Sequence, residues 1–120
     1  MGLKYLVTGG AGFIGSNYVD RLLSRGEFVR VFDNLSRNNT DKNLAWLREK
    51  HGDDSFEFRQ ADVRDLSALV DAVEDIDVIV HFAGQVAVTT SVDDPMSDFE
   101  VNALGTMNVL EAARLSGTQP

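Results

Sequence analysis

The sequence predicts a doubly wound α/β fold, a parallel sheet with helices on both faces. Three observations carry that expectation. Along 120 residues, short apolar runs alternate four times with apolar residues at helical spacing, the pattern of strands connected by crossover helices. The fourth run, "VIVHF", shows no polar alternation before its histidine, as expected of a strand covered on both faces. The third is a cluster of glycines at the junction of the first strand and the first helix, in "YLVTGGAGFIGSN".

In chain order, residues 3–7 read as the first strand. Ile14, Tyr18, Val19, Leu22 and Leu23 then recur at helical spacing, with Gly26 where a helix ends. Residues 28–32 read as the second strand, closed by Asp33 and Asn34, and residues 34–41 as a polar loop. A short helix over 43–50 would turn Leu44 and Leu47 inward, with Trp46 as core or interface filler. Residues 56–58 read as a brief third strand. Asp65 then caps a helix carrying Leu66, Leu69, Val70 and Val73. After the fourth strand, 78–82, Asp94 and Pro95 open the longest helix, which runs through Phe99, Val101, Leu104, Val109 and Leu110 to about Leu115. The chain reads as the N-terminal portion of such a fold, about four strands and four helices. It looks truncated where a fifth strand would begin.

Composition narrows the function classes. Hydrophobic content of 43% and charged content of 25% suit a globular domain. No apolar stretch approaches the roughly 20 residues that cross a bilayer, and no basic-then-apolar leader opens the chain, so no membrane partner is expected. The absence of cysteine excludes disulfides and thiolate metal sites and fits a cytoplasmic setting; no metal site is expected. A net charge of −8 argues against a nucleic-acid surface. It does not preclude a phosphate, provided that backbone amides hold it.

The glycines suggest such a phosphate. Gly10-Ala11-Gly12-Phe13-Ile14-Gly15 is a G-x-G-x-x-G run between a strand and a helix. In that setting one glycine makes the tight turn, one admits a pyrophosphate and one lets helix and strand pack closely. The unpaired amides and positive dipole end of the helix face the phosphates. Asp33 ends the second strand, where a carboxylate can accept both hydroxyls of an adenosine ribose. It would repel a 2′-phosphate, which favours NAD over NADP. Arg37 could instead serve that phosphate, or be a solvated loop residue. Asp62, beyond the third strand, could bond the adenine amino group or simply form an Asx-turn ahead of the helix. His81 reads first as a satisfied core histidine.

Taken together, "TGGAGFIG", "FDNLSR", "ADVRD", "HFAGQ" and "VNALGT" resemble the extended short-chain dehydrogenase/reductase family, within it the NAD-dependent sugar-nucleotide epimerases and dehydratases. The resemblance runs from Lys4 to about Gly117. "HFAGQVAVTTSVDDPMSDFEVNALGTMNVLEAAR", "FDNLSR" and "NLAWL" are most similar to the CDP-paratose (CDP-tyvelose) 2-epimerases; Val86 stands where UDP-galactose 4-epimerases usually carry lysine. The resemblance implies a Rossmann-like fold binding NAD. Gly9, Gly12 and Gly15, with the amides of Phe13 and Ile14, would hold the pyrophosphate. Asp33, Asn34 and Ser36 would hold the ribose, and Asp62 and Val63 would flank the adenine. Phe82, Ala83, Gly84 and Gln85 would pass beside the nicotinamide half. Asn102 would reach towards the cofactor, and Gly105 would bring its helix close to the sheet. Val88, Thr89 and Thr90 would meet the sugar nucleotide, or be loop hydroxyls.

The family's chemistry uses a Tyr-x-x-x-Lys pair, in which the lysine lowers the tyrosine pKa for proton abstraction. Neither Tyr5, with Gly9 four residues on, nor Tyr18, with Leu22, begins one. No catalytic residue is therefore expected in this chain. Residues 1–120 would form the NAD-binding part of a longer enzyme, with the catalytic and substrate-binding remainder beyond it. The implied reaction is transient hydride transfer at C2 of a CDP-linked dideoxyhexose. A UDP- or dTDP-sugar 4-epimerase or 4,6-dehydratase, or a non-catalytic NAD-binding module, are the alternatives. The resemblance also implies a homo-oligomer formed through the 95–115 helix.

Overall fold

The computed structural model describes residues 2–37, 39–83, 96 and 99–117. Four strands, β1 (Lys4–Thr8), β2 (Phe28–Asp33), β3 (Glu57–Gln60) and β4 (Val78–His81), form one parallel sheet in the order β3-β2-β1-β4. The register pairs Val7 with Val31 on one side and with Val80 on the other. Among the described residues four longer α-helices accompany them: α1 (Phe13–Ser24), α2 (Thr40–His51), α3 (Leu66–Ala72) and α4 (Gly105–Ser116). A π-helical turn, Glu100–Leu104, leads into α4.

Period-two alternation along β1 divides the core between the two faces. Tyr5 and Val7 join Val19, Leu22, Leu44 and Leu47 beneath α1 and α2. Leu6 points the other way, to Leu69, Val73, Val109 and Ala112 of the α3–α4 region. Arg30 is buried within β2, where its guanidinium donates to the carbonyls of Ala72 and Glu74 at 2.7 and 2.9 Å and to Glu57 at 3.0 Å. It therefore satisfies carbonyls that the end of α3 leaves unpaired. On the opposite face Asp20 of α1 accepts from His51 and Lys50, tying the end of α2 down.

The structure shifts several expected boundaries. β1 begins at Lys4, leaving Leu3 half exposed. α2 begins at Thr40, not at 43, because the Thr40 hydroxyl bonds the Arg37 carbonyl and starts the turn early. β3 lies at 57–60; Phe56, expected within it, is buried just before it. β4 stops at His81, so Phe82 is already outside the strand. Trp46 fills no core: it lies on the outer side of α2, with the Lys50 ammonium 5.5 Å from its ring centre. Ile14, Leu66, Val70, Phe99, Leu104 and Leu110 also face outward. Asp65 caps α3 as expected, accepting from the Ala68 amide. Gly26 follows α1 with φ +79°, its amide bonded to the Leu23 carbonyl. The predicted opening of the long helix at Asp94 and Pro95 lies outside the described residues.

Candidate functional site: a cleft over the carboxyl ends of the strands

A cleft of about 500 Å³ opens beyond the carboxyl ends of β1, β2 and β3, and reaches Val101 of the π-helical turn. This is where the strand order reverses, since β1 sends one connection towards β2 and its other neighbour is β4.

Each glycine of the turn has a separate job. The tight turn belongs to Gly9, with φ +67°, rather than to Gly10. A side chain at Gly9 would also strike the Ala83 amide. Gly10 instead packs on Val31, where a Cβ would lie 2.8 Å from Cγ1. A Cβ on Gly15 would overlap the Gly9 carbonyl, so this glycine lets α1 sit against the turn. A Cβ on Gly12 would meet only the Gly9 oxygen at 3.3 Å, and Gly12 faces the cleft as the N-cap of α1. With glycine at that position, no capping side chain covers the amides of Phe13, Ile14 and Gly15, which a helix cannot pair internally. Those three residues line the cleft. The outward positions of Phe13 and Ile14 follow from this: their side chains flank the mouth instead of joining the core.

Asp33 also lines the cleft, and backbone amides aim its carboxylate. One oxygen accepts from Ala11 in the glycine turn at 3.1 Å, the other from Leu35 at 2.8 Å. Leu35 holds φ +60°, a costly backbone for a branched side chain. Nothing in the sequence pattern signals it. Asn34 accepts from the Ser36 amide at 3.1 Å and donates to Asp62 at 3.0 Å, bridging the loops after β2 and β3. Ser36 and Arg37 line the same wall.

Of the two readings given to Asp62, the structure shows the Asx-turn. The residue lines the cleft and accepts from the Arg64 amide at 2.9 Å. The Arg64 side chain adds bonds of 3.0 and 2.8 Å, one to each carboxylate oxygen. With Asn34 this makes four donors on a carboxylate that offers about four acceptor positions. The adjacent guanidinium, and then the amide donors, hold the Asp62 carboxyl down at about 2. An adenine amino group would have to displace one of these donors. Arg64 itself lines the cleft and escaped sequence reasoning, although its place two residues after an Asx residue was the available signal.

Val63, Phe82 and Ala83 line the cleft. Phe82 is held edge-on against Tyr18 of α1, centroids 5.6 Å apart. Asn102 is half buried in the π-helical turn; its neighbour Val101, not Asn102, lines the cleft. Gly105 lies close not to the sheet but to Val63 in the β3–α3 loop, where a Cβ would come 2.6 Å from Cγ2. Asn108 of α4 reinforces that approach by donating to the Val63 carbonyl at 3.0 Å. Asn43 of α2 does the same for the Ala11 carbonyl at 2.7 Å. Gly84, Gln85, Val86, Val88, Thr89 and Thr90 lie outside the described residues. Among the described residues there is no cluster of metal-ligating side chains, and no helix is long and apolar enough to cross a membrane.

His81 ends β4 opposite Thr8, with both ring nitrogens engaged. Nδ1 lies 2.6 Å from the Thr8 hydroxyl and Nε2 lies 3.2 Å from the Thr106 hydroxyl. Burial pushes the ring's pKa below its usual value.

A sequence model of the GDP-mannose 4,6 dehydratase family matches residues 6–120. The chain is 46% identical over 114 residues to the CDP-paratose 2-epimerase of Salmonella typhi, covering 93% of this chain and 33% of that protein. Two solved structures superpose closely. The UDP-glucose-4-epimerase of Stenotrophomonas maltophila, with bound NAD and formylated UDP-arabinopyranose, gives a TM-score of 0.88 at 33% identity, over 98% of this chain and 35% of that one. DesIV, the dTDP-glucose 4,6-dehydratase of Streptomyces venezuelae, with NAD and TYD bound, gives 0.87 at 34% identity, over 97% and 37%. The chain thus spans about one third of the length of each of these three proteins.

Proposed function

The chain belongs to the GDP-mannose 4,6 dehydratase family, and from that membership and the cleft we propose that it is the NAD-binding portion of a sugar-nucleotide epimerase. The observation that carries the reading is the bond from the Ala11 amide to the Asp33 carboxylate. It sets a fixed negative charge beside an uncapped helix N-terminus, one feature suited to a ribose diol and the other to a pyrophosphate. In this reading Gly9, Gly12, Phe13, Ile14 and Gly15 cradle the pyrophosphate, while Asp33, Asn34 and Ser36 take the ribose. Asp62 and Val63 border the adenine; Phe82 and Ala83, with Gly84, Gln85 and Asn102, border the nicotinamide half. Val88, Thr89 and Thr90 are assigned to the sugar nucleotide.

Bound there, NAD would supply reversible hydride acceptance at a sugar carbon, and this chain's own residues would fix the orientation of the dinucleotide. The 46% identity to a CDP-paratose 2-epimerase supports C2 of a CDP-linked dideoxyhexose as the reacting carbon. The solved 4-epimerase and 4,6-dehydratase support the second reading, a UDP- or dTDP-sugar enzyme acting at C4. In either reading residues 1–120 are a Rossmann-type cofactor domain. They contribute no Tyr-x-x-x-Lys pair, so proton transfer falls to other parts of the enzyme. The exposed Met96, Met107 and Leu115 support a homo-oligomer through the 95–115 helix, and the cysteine-free composition supports a cytoplasmic isomerase.

Calorimetric titration with NAD and with NADP tests the cofactor reading. NAD should bind more tightly, and Asp33→Ala should weaken it roughly 10- to 100-fold through loss of a charge-assisted bond. Equal affinity for both cofactors, unchanged by the substitution, would remove Asp33 from the site. Product analysis of the complete protein with CDP-paratose and with UDP-glucose then separates the C2 from the C4 reading.

A further inference from the structure

The bonds around His81 form a chain in which the direction of every proton is fixed. The Thr8 hydroxyl oxygen faces two amide donors, Ala83 at 3.3 Å and Phe82 at 3.1 Å, the latter shared with the Thr8 carbonyl at 2.9 Å. Its own proton must therefore go to His81 Nδ1 at 2.6 Å. At the far end the Asn102 carbonyl can only accept, so the Thr106 hydroxyl gives its proton there, at 2.6 Å. Thr106 is then left to accept from His81 Nε2 at 3.2 Å. The ring is neutral, with its proton on Nε2.

Each end of this chain adjoins a residue that lines the cleft. Thr8 directly precedes Gly9, the residue that turns the backbone into the glycine loop. Asn102 lies in the π-helical turn beside Val101, which forms the helical wall. A π-turn breaks the regular carbonyl pairing of a helix and is held by what bonds its carbonyls. We propose that His81 and Thr106 are positioning residues, which lock the π-helical turn to the glycine-loop wall and so set the width of the cleft. Among the described residues it is the imidazole that reaches both hydroxyls. The Thr8–His81–Thr106 order works only with the ring's proton on Nε2, so the assignment is open to direct observation.

The effect on affinity rests on the dinucleotide reading given above; the tautomer does not. In the complete protein, selectively ¹⁵N-labelled histidine should report a neutral His81 ring protonated at Nε2, with the signal assigned by its loss in His81→Phe. Thr106 is solvent-exposed on α4, so its variants should fold. Thr106→Val removes both of its bonds and should weaken NAD on the order of 3- to 10-fold, while letting the ring populate the Nδ1–H form. Thr106→Ser keeps the hydroxyl and should restore affinity to within about twofold of wild type. A simple packing role for Thr106 would leave the tautomer unchanged in Thr106→Val. The proposal is overturned if the wild-type ring carries its proton on Nδ1, if Thr106→Val binds NAD like wild type, or if Thr106→Ser fails to rescue. Failure of wild type itself to bind NAD would overturn the dinucleotide reading, and the ring signature alone would then decide the relay.

Discussion

The two walls of the cleft are built by opposite means. On the glycine-turn wall, side chains are missing where backbone must approach backbone: Gly15 accommodates the Gly9 carbonyl and Gly9 accommodates Ala83. On the helical wall, side chains are present and bonded: Thr106 to Asn102, His81 to Thr106 and Asn108 to Val63. A wall made by omission tolerates no added atom. A wall made by hydrogen bonds loses about 0.5–1.5 kcal/mol for each bond removed. Only Gly105, pressed on Val63, brings the first strategy to the second wall.

The largest expected effect is therefore Gly15→Ala. Its Cβ would collide with the Gly9 carbonyl and with backbone of Gly9 and Gly10, neither of which is a side-chain tip able to swing away. Forced overpacking of this kind costs roughly 2–3 kcal/mol. Urea unfolding should show that loss, and NAD binding should fall below detection because the turn cannot keep its shape. A variant that melts and binds like wild type would mean that the two walls do not differ as described.

This contrast also explains how far the site could be read in the sequence. The glycine wall was legible because omission leaves a compositional mark: glycines concentrate at one junction, and Asp33 follows at the end of the next strand. Even there the pattern did not say which glycine makes the tight turn. Gly10 completes the G-x-G-x-x-G string, but the positive φ belongs to Gly9. The helical wall left no such mark. Asn102 stood out only through the family resemblance, while Thr106 and Asn108 look like any polar residues of an amphipathic helix, and their partners lie 25 to 45 residues away or in the helix's own backbone. The π-helical turn is likewise invisible to a period count, since one displaced carbonyl does not disturb the apolar stripe. The fold itself was legible because β1 and β2 alternate or run apolar as the two covered faces require. Boundaries slipped where a single local bond decided them, as Thr40 does for α2.

Gly105→Ala sharpens the comparison at an intermediate size. A Cβ there would lie 2.6 Å from Val63 Cγ2, while alanine would gain up to about 1 kcal/mol of helix propensity. The clash should win by about 1 kcal/mol. Because the obstacle is a side chain, Val63→Ala should remove it. In that background Gly105→Ala should become neutral or stabilising, a coupling that thermal melts of the double-mutant cycle would reveal. Additive losses would show that Gly105 meets backbone, as Gly15 does, and that the exception is no exception.

The smallest effect concerns Asp62, whose carboxylate joins the loops after β2 and β3 through Asn34. Its folded pKa, about 2, lies below the unfolded value near 3.8 because the Arg64 and Asn34 donors favour the ionised form. Above about pH 5 both states are ionised and the stabilisation is fully present. As pH falls from there towards 2, the unfolded chain takes up the proton first and the stabilisation is lost. The group is substantially solvated, so screening limits the contribution to about 1 kcal/mol or less. The stability difference between wild type and Asp62→Asn, measured by urea unfolding at steps from pH 5 to pH 3, should shrink as the solution is acidified. A difference that stays constant would mean that Asp62 holds the two loops by shape rather than by charge, in the manner of the glycine wall.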